Sequence, residues 1–299
     1  MAAGYRGISG MGQAGAGATL MRIGIVAPAR PIDQGTAARA AAFAAITFPT
    51  VDLVFHPQCF LSDGGHFAGP DDVRAAAFLE FANDPAFDAL WFARGGYGAN
   101  RILHAVMAKL APAASAKSYC GYSDTGFLLG ALYAKRIGHP VHAPLVGEIN
   151  RAGGDAAIAR TLDWLARRNP SALEPSVGEE PVVAFNLAIL TALIGTPWLP
   201  DLRGHVLMIE EVSEPLYRID RMLFQMAHAT QLAGVAGIRL GRVHDVIPND
   251  PPFAEDAPQM IERWCREMGV PFLGLADIGH DADNKVVPFG RLQGAAARP

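Results

Sequence analysis

The feature that most constrains the fold is a regular alternation of short apolar runs with alanine-rich segments of helical period. Buried strands are predicted at residues 23–27, 52–55, 89–93 and 118–121, and helices at 36–46, 71–83, 99–110 and 124–135. This order is typical of parallel strands joined by crossover helices. The first half of the chain is therefore predicted to form an α/β domain on a parallel sheet.

The second half repeats the pattern after a polar, proline-containing segment. Strands are predicted at 205–209, 237–243 and 272–277, and helices at 215–232 and 257–268. A length of 299 residues allows two domains or one large α/β domain. Residues 151–180 are interpreted as a linker whose polar residues and prolines cannot extend a packed element, which gives domains at 21–150 and 181–299. Residues 1–20 are rich in glycine and alanine and are expected to form a disordered tail rather than a secretory signal.

Composition excludes several classes of partner. The net charge is −4, and no run of lysine and arginine is dense enough to neutralise a phosphate backbone, so nucleic acid is not expected as a partner. The densest apolar stretch, residues 185–199, is interrupted by polar residues, glycine and proline, so no membrane association is expected. The three cysteines are far apart and form no Cys-x-x-Cys pair, which favours a reducing, cytoplasmic compartment and no thiolate zinc site.

Residues 120–126, Cys-Gly-Tyr-Ser-Asp-Thr-Gly, lie between a predicted strand and a predicted helix. A turn of this kind presents the Ser123 hydroxyl at the carboxyl edge of a sheet, with the next backbone N–H at a helix N-terminus, as an acyl-transfer nucleophile requires. The match to Gly-x-Ser-x-Gly is incomplete because Thr125 takes the place of the second glycine. An ordinary turn therefore stands beside the catalytic interpretation.

A second glycine-rich turn, residues 93–101, also follows a predicted strand. Gly95, Gly96 and Gly98 allow positive φ and close backbone approach to a ligand, so the loop is a candidate oxyanion donor or anion cradle. It lacks the spacing of a dinucleotide-binding or P-loop motif. A tight turn that packs a helix closely on the sheet explains the same glycines.

A serine nucleophile needs a base, and the base needs an acid that orients it. Glu210 and Glu211 end the predicted strand at 205–209, and His280 follows the strand at 272–277. A solvated strand end and an exposed loop histidine are the alternative interpretations.

Taken together, these motifs resemble the LD-carboxypeptidases, serine peptidases that include the microcin C immunity proteins. The matches follow one order along the chain, at residues 25–28, 67–69, 93–98, 121–124, 195–197, 207–212, 217–221 and 279–280. The resemblance implies an N-terminal α/β domain that carries the nucleophile elbow and a smaller α/β C-terminal domain, commonly paired as a homodimer. It implies a triad of Ser123, Glu210 and His280, with the backbone N–H groups of Gly96 and Asp124 as the oxyanion hole and with no metal or cofactor.

The resemblance also implies a reaction: release of terminal D-alanine from murein tetrapeptide through an L,D-peptide bond, in cytoplasmic cell-wall recycling. Arg94, with Tyr97 beside it, is the candidate for binding the terminal carboxylate, although Arg94 has an alternative role in anchoring the glycine loop. The chain departs from the family at Ala143-Pro144 and at residues 184–187, where bulkier side chains are expected to reshape the cleft. The alternatives are a microcin-immunity-like hydrolase of peptidyl or aminoacyl nucleotides and a ligand-binding protein without catalysis.

Overall fold

The computed structural model describes residues 20–62 and 65–292, so the tail expected at residues 1–20 lies, except for Leu20, outside the described residues. The strands are β1 Met21–Val26, β2 Val51–Phe55, β3 Ala89–Phe92, β4 Ser118–Gly121, β5 His139–His142, β6 Val182–Asn186, β7 Val206–Val212, β8 Gly237–His244, β9 Phe272–Leu275 and β10 Val287–Pro288. The helices are α1 Gln34–Thr47, α2 Asp71–Asn83, α3 Ala99–Met107, α4 Gly126–Ala134, α5 Gly154–Arg167, α6 Leu187–Leu193, α7 Leu216–Ala227 and α8 Ala257–Met268. Strands and helices alternate as the sequence predicts, and the α/β fold class is confirmed.

The first sheet has the strand order β10-β5-β4-β3-β1-β2. Strands β1 to β5 are parallel, and only β10 pairs antiparallel, along β5. The chain runs outward from β1 to β2 and then returns to β3 on the other side of β1. In sheets of this type, ligands bind at the carboxyl edge near the point where the winding reverses, which here lies between β1 and β3.

Side chains of the first sheet alternate between two cores. In β3, Leu90 and Phe92 pack with helices α2, α3 and α4, whereas Ala89 and Trp91 pack with α1 and α5 on the opposite face. Because successive residues of a strand point to opposite faces, a strand covered on both sides is apolar throughout. This explains why the strands of the first half read as continuous apolar runs.

The second sheet is parallel and has the order β6-β7-β8-β9. Phe185 of this sheet, together with Leu187 and Leu190 of α6, belongs to one continuous core with α4 of the first half. The two sheets are also joined by backbone pairing, because β10 pairs with β5 and Gly290 then pairs with Val182 of β6.

The interpretation of residues 151–180 as an unpacked linker is wrong for its first half. Helix α5 occupies Gly154–Arg167 and buries Ile158, Leu162 and Leu165 against the first sheet. Their spacing is the helical period of one apolar face, and the polar residues that follow only end this helix. The predicted helix at 215–232 also ends earlier, at Ala227.

Candidate active site

Ser123 stands at a sharp turn directly after β4. Its φ is +59°, in the left-handed region that non-glycine residues rarely adopt. The turn is tight, because a Cβ at Gly121 would lie 2.6 Å from atoms of Phe92 and Thr125. This geometry holds the Ser123 hydroxyl at the carboxyl edge of the first sheet, at the start of α4.

His280 and Glu210 come from the second half of the chain and meet Ser123 there. The Ser123 Oγ lies 2.9 Å from His280 Nε2, and His280 Nδ1 lies 2.6 Å from Glu210 Oε2. When Nδ1 carries the proton and donates to Glu210, Nε2 is free to accept from the serine hydroxyl. The structure therefore brings together the three side chains that the sequence analysis singled out, in the order serine, histidine, acid.

Two effects on the pKa of His280 oppose each other. Burial alone lowers the pKa of His280, but the charge of Glu210 and its hydrogen bond outweigh burial, and the pKa is raised above its usual 6.5. Glu210 itself is only 1% exposed at the end of β7. A buried carboxylate beside the ring thus favours the protonated imidazole.

Glu211 points the other way. Its carboxylate accepts hydrogen bonds from Asn186 Nδ2 at 2.7 Å and from the backbone N–H groups of Ala188 and Val212, each at 2.8 Å. Burial raises the pKa of Glu211 to about 7 in spite of these donors. Because neighbouring strand residues alternate in direction, only Glu210 contacts His280.

The glycine loop after β3 lies against the serine. A Cβ at Gly95 would stand 3.1 Å from Ser123 Cβ, and in the described part of the chain the Gly96 N–H donates no hydrogen bond. The Asp124 carboxylate fixes this loop by accepting from Ala99 N at 2.8 Å, at the start of α3. Burial raises the pKa of Asp124 to about 6, although the backbone N–H groups of Ala99 and Gly98 lower it.

A second set of contacts supports His280 and escaped the sequence analysis. The Tyr122 hydroxyl donates to Glu148 at 2.9 Å, and the Tyr122 ring lies 4.9 Å from the His280 ring, measured between centroids. Arg151 donates to the His280 backbone carbonyl at 2.6 Å and pairs with Glu148 at 2.9 Å. These contacts link the histidine to the segment that follows β5.

A cavity of about 860 Å³ opens beside Ser123 and His280. Arg30, Arg94, Gly96 and Glu148 belong to its lining, but Tyr97 does not. Glycines of positive φ flank Tyr97, and its ring packs instead near His66 and Phe67, with centroids 6.2 and 5.8 Å away. Tyr97 therefore lies outside the lining of this cavity, although the sequence analysis suggested it for substrate binding.

Arg30 and Glu148 were not named in the sequence analysis, but their positions after parallel strands could have indicated them. Arg30 follows β1 and Glu148 follows β5, just as Arg94 follows β3 and Ser123 follows β4. The carboxyl ends of parallel strands share one edge of a sheet, and ligand sites of such sheets form at that edge.

Family models match both halves of the chain. The family model of the LD-carboxypeptidase N-terminal domain matches residues 23–143, and that of the C-terminal domain matches residues 180–293. A probable murein peptide carboxypeptidase of Bacillus subtilis is 30% identical over 279 residues, which cover 90% of this chain and 86% of that protein.

Two solved structures share the fold. The crystal structure of muramoyltetrapeptide carboxypeptidase from Oxalobacter formigenes matches with a TM-score of 0.75 and 25% identity, and covers 89% of this chain and 93% of that chain. The microcin C7 self-immunity protein MccF, in complex with aspartyl sulfamoyl adenosine, matches with a TM-score of 0.72 over 90% of this chain and 91% of its own, at 19% identity.

The fold and these matches define an α/β carboxypeptidase with a mostly parallel first sheet and a parallel second sheet. The chain belongs to the LD-carboxypeptidase family. None of the helices in the described part of the chain has the length and apolarity needed to cross a membrane.

Proposed function

We propose that this protein is a serine carboxypeptidase that hydrolyses the L,D-peptide bond of murein tetrapeptide and releases the terminal D-alanine. The observation that carries the proposal is the chain of hydrogen bonds from Ser123 through His280 to Glu210, with distances of 2.9 and 2.6 Å. The names of the Bacillus and Oxalobacter relatives support a murein peptide as the substrate class.

In the first half of the proposed reaction, the Ser123 Oγ attacks the scissile carbonyl carbon while its proton passes to His280 Nε2. The backbone N–H groups of Gly96 and Asp124 stabilise the oxyanion. When the tetrahedral intermediate collapses, the C–N bond breaks and His280 gives its proton to the leaving amine of D-alanine. Glu210 holds the imidazole in the tautomer that keeps Nε2 free.

In the second half, water replaces D-alanine. A water molecule attacks the acyl carbon and gives its proton to His280, and the second tetrahedral intermediate then expels the Ser123 Oγ, which takes that proton back. The peptide leaves with a new carboxylate, and the enzyme returns to its starting state.

The cavity supports an exopeptidase rather than an endopeptidase. Ser123 lies on one sheet while Glu210 and His280 lie on the other half of the chain, so the reacting bond sits at the junction of the proposed domains, 21–150 and 181–299. A junction of this kind receives a chain end more easily than a continuing chain. Arg94 lines the cavity and is proposed to bind the terminal carboxylate.

We further propose a cytoplasmic homodimer that acts in cell-wall recycling, as the family resemblance implies. The second candidate function is hydrolysis of aminoacyl or peptidyl nucleotides, favoured by the shared fold of MccF. Likeness at 19% identity concerns the fold alone, and we therefore rank this function second.

The decisive experiment compares two substrates. Purified wild-type protein and Ser123→Ala are incubated with murein tetrapeptide and, separately, with an aminoacyl sulfamoyl adenosine, and the products are separated by chromatography. We expect the wild type to release D-alanine and Ser123→Ala to lose turnover by roughly 10³-fold or more, because the nucleophile is removed.

Circular dichroism of Ser123→Ala serves as the folding control. Turnover of only the sulfamoyl adenosine would favour the second function. Full activity of a correctly folded Ser123→Ala would contradict the proposed nucleophile, and binding of the tetrapeptide without any turnover by the wild type would favour a ligand-binding protein.

A further inference from the structure

Arg30 is a cavity residue that the family motifs do not include. It follows β1 and reaches the carboxyl edge of the first sheet, where its side chain lies across the glycine loop. A Cβ at Gly96 would collide with the Cγ and Cδ of Arg30, so the aliphatic part of this arginine packs directly on Gly96. The preceding residue, Gly95, contacts Ser123, so Arg30 packs on the glycine next to the one that touches the serine.

Arg94 lines the same cavity from the beginning of the glycine loop. Within residues 20–62 and 65–292, neither Arg30 nor Arg94 makes a hydrogen bond or an ion pair. This distinguishes them from Arg74, which is buried beneath the same loop and donates to the carbonyls of Pro28 and Gly98. Anchoring of the glycine loop thus falls to Arg74, not to Arg94.

The acids of the cavity are already engaged by other groups. Asp33 caps α1, with its carboxylate accepting from Thr36 N at 2.7 Å and from Thr36 Oγ1 at 3.0 Å. Glu148 is bound by Tyr122 and Arg151. The positive charge of Arg30 and Arg94 is therefore not matched by a contact within the cavity wall.

Arg30 and Arg94 place two like charges on one cavity. The pKa of Arg94 is lowered, first by burial and then by the charge of Arg30, and the charges of Glu148 and Asp33 offset this only in part. An anion bound between them would remove this repulsion and form charge-assisted hydrogen bonds with both. The molecule contains such an arrangement elsewhere, because the Asp71 carboxylate is bound by both Arg74 and Arg101, with Arg101 Nε at 2.8 Å.

We propose that Arg30 and Arg94 form a two-arginine clamp for the free α-carboxylate of the residue that leaves during the reaction. This inference rests on the proposed function and adds Arg30 as a residue that determines specificity. In a carboxy-terminal residue, a single carbon separates the scissile nitrogen from the carboxylate. The group that binds this carboxylate must therefore stand next to the oxyanion loop, where packing on Gly96 holds Arg30.

The test pairs charge removal in the protein with charge removal in the substrate. Wild type, Arg30→Gln, Arg94→Gln and the double variant are assayed on murein tetrapeptide with a free or an amidated D-alanine carboxylate. Arg30→Lys keeps the charge but loses the fork, and Arg266→Gln, an exposed arginine of α8 outside the cavity, is the matched control. The measured quantity is the ratio of kcat/KM for the acid to that for the amide.

We expect wild type and Arg266→Gln to prefer the acid, and each single glutamine variant to lose roughly 10- to 100-fold of that preference. Rates on the amide should change little, because the amide offers no charge to either arginine. Arg30→Lys should recover part of the preference, and the double variant should lose less than the product of the two single losses, since both arginines bind one carboxylate.

An unchanged preference in Arg30→Gln overturns the clamp while leaving the proposed function intact. Equal fold losses on acid and amide would also overturn it, because they indicate a general effect on the fold. If the wild type cleaves neither substrate, the proposed function fails, and the clamp is then tested by binding alone. Calorimetry measures the binding of both peptides to Ser123→Ala, with and without Arg30→Gln. A preference for the acid that Arg30→Gln abolishes supports the clamp, and equal binding of acid and amide contradicts it.

Discussion

Glu210 and Glu211 are adjacent carboxyls whose surroundings differ. Glu210 Oε2 lies 2.6 Å from His280, whereas Glu211 accepts three hydrogen bonds, from the end of β6, the start of α6 and the next backbone N–H of β7. Replacement of Glu210 by glutamine should lower kcat by roughly 10³- to 10⁴-fold, because the imidazole loses the acid that fixes its tautomer. Steady-state kinetics with the tetrapeptide measure this loss.

Glu211→Gln is the matched comparison. It should reduce turnover only weakly. It should destabilise the fold by about 1–3 kcal/mol, because the new NH₂ group faces a backbone N–H that donates a hydrogen bond to the carboxylate in the wild type. Chemical denaturation measures the stability. The reverse ranking in kcat would mean that Glu211, not Glu210, orients the histidine.

In the proposed mechanism, His280 sets the pH dependence of activity. The proposed reaction needs the neutral imidazole, and the charge of Glu210 raises the pKa of His280 above 6.5 in spite of burial. We therefore expect kcat/KM to rise with pH through an inflection above 6.5. The residual activity of Glu210→Gln should have its inflection at lower pH, because the charge that raises the pKa has been removed.

Asp124 is the control for this assignment. Its pKa is raised by burial to about 6, so its ionisation also falls in the acid range. If the acid limb arises from His280, Asp124→Asn should keep the inflection, even where it lowers the rate by loosening the bond to Ala99. Loss of the acid limb in Asp124→Asn would assign it to Asp124.

At the scale of elements, the contact between α4 and α6 holds the two sheets together. Gly126 and Gly130 lie one turn apart on α4 and face α6 and β6, and a Cβ at Gly130 would stand 3.1 Å from Leu193 and 3.3 Å from Phe185. Gly130→Val should therefore destabilise the protein by about 1–3 kcal/mol through overpacking. Thermal unfolding measures the loss.

Gly178 supplies the control for this contact, because a Cβ there meets nothing within 4 Å. Gly178→Val should leave the unfolding temperature nearly unchanged. Equal stability of both variants would mean that α4 and α6 are not packed closely at Gly130.

At the scale of the whole molecule, one apolar core joins both halves. It includes Phe92 and Leu128 from the first half and Phe185 and Leu207 from the second. We expect scanning calorimetry to give one transition with an enthalpy of ~200 kcal/mol, equal to its van't Hoff value. Two separate peaks would contradict a shared core, and repetition at several concentrations separates this effect from dissociation of a dimer.

The sequence predicted much of this molecule but not all of it. Strand and helix positions in the first half follow from apolar runs and period, and residues 71–83 are predicted with the bounds that the structure has. The pairing of β10 with β5 was not predictable, because two residues carry no periodicity and their partner lies more than 140 positions away. Helix α5 was missed although its apolar spacing was present, because the polar residues after it dominated the interpretation.

The sequence by itself determined which candidate catalytic groups the chain carries, since residue types and local turns are properties of short segments. Ser123 after a strand, a glycine loop and an acid at a strand end are recognisable in a dozen residues or fewer. Only the tertiary structure decided which groups meet. His280 is 157 positions from Ser123, and the contact between them depends on two sheets packing through a common core. The same holds for Arg30 and Arg94, which are 64 positions apart in the sequence but follow strands that are neighbours in the sheet.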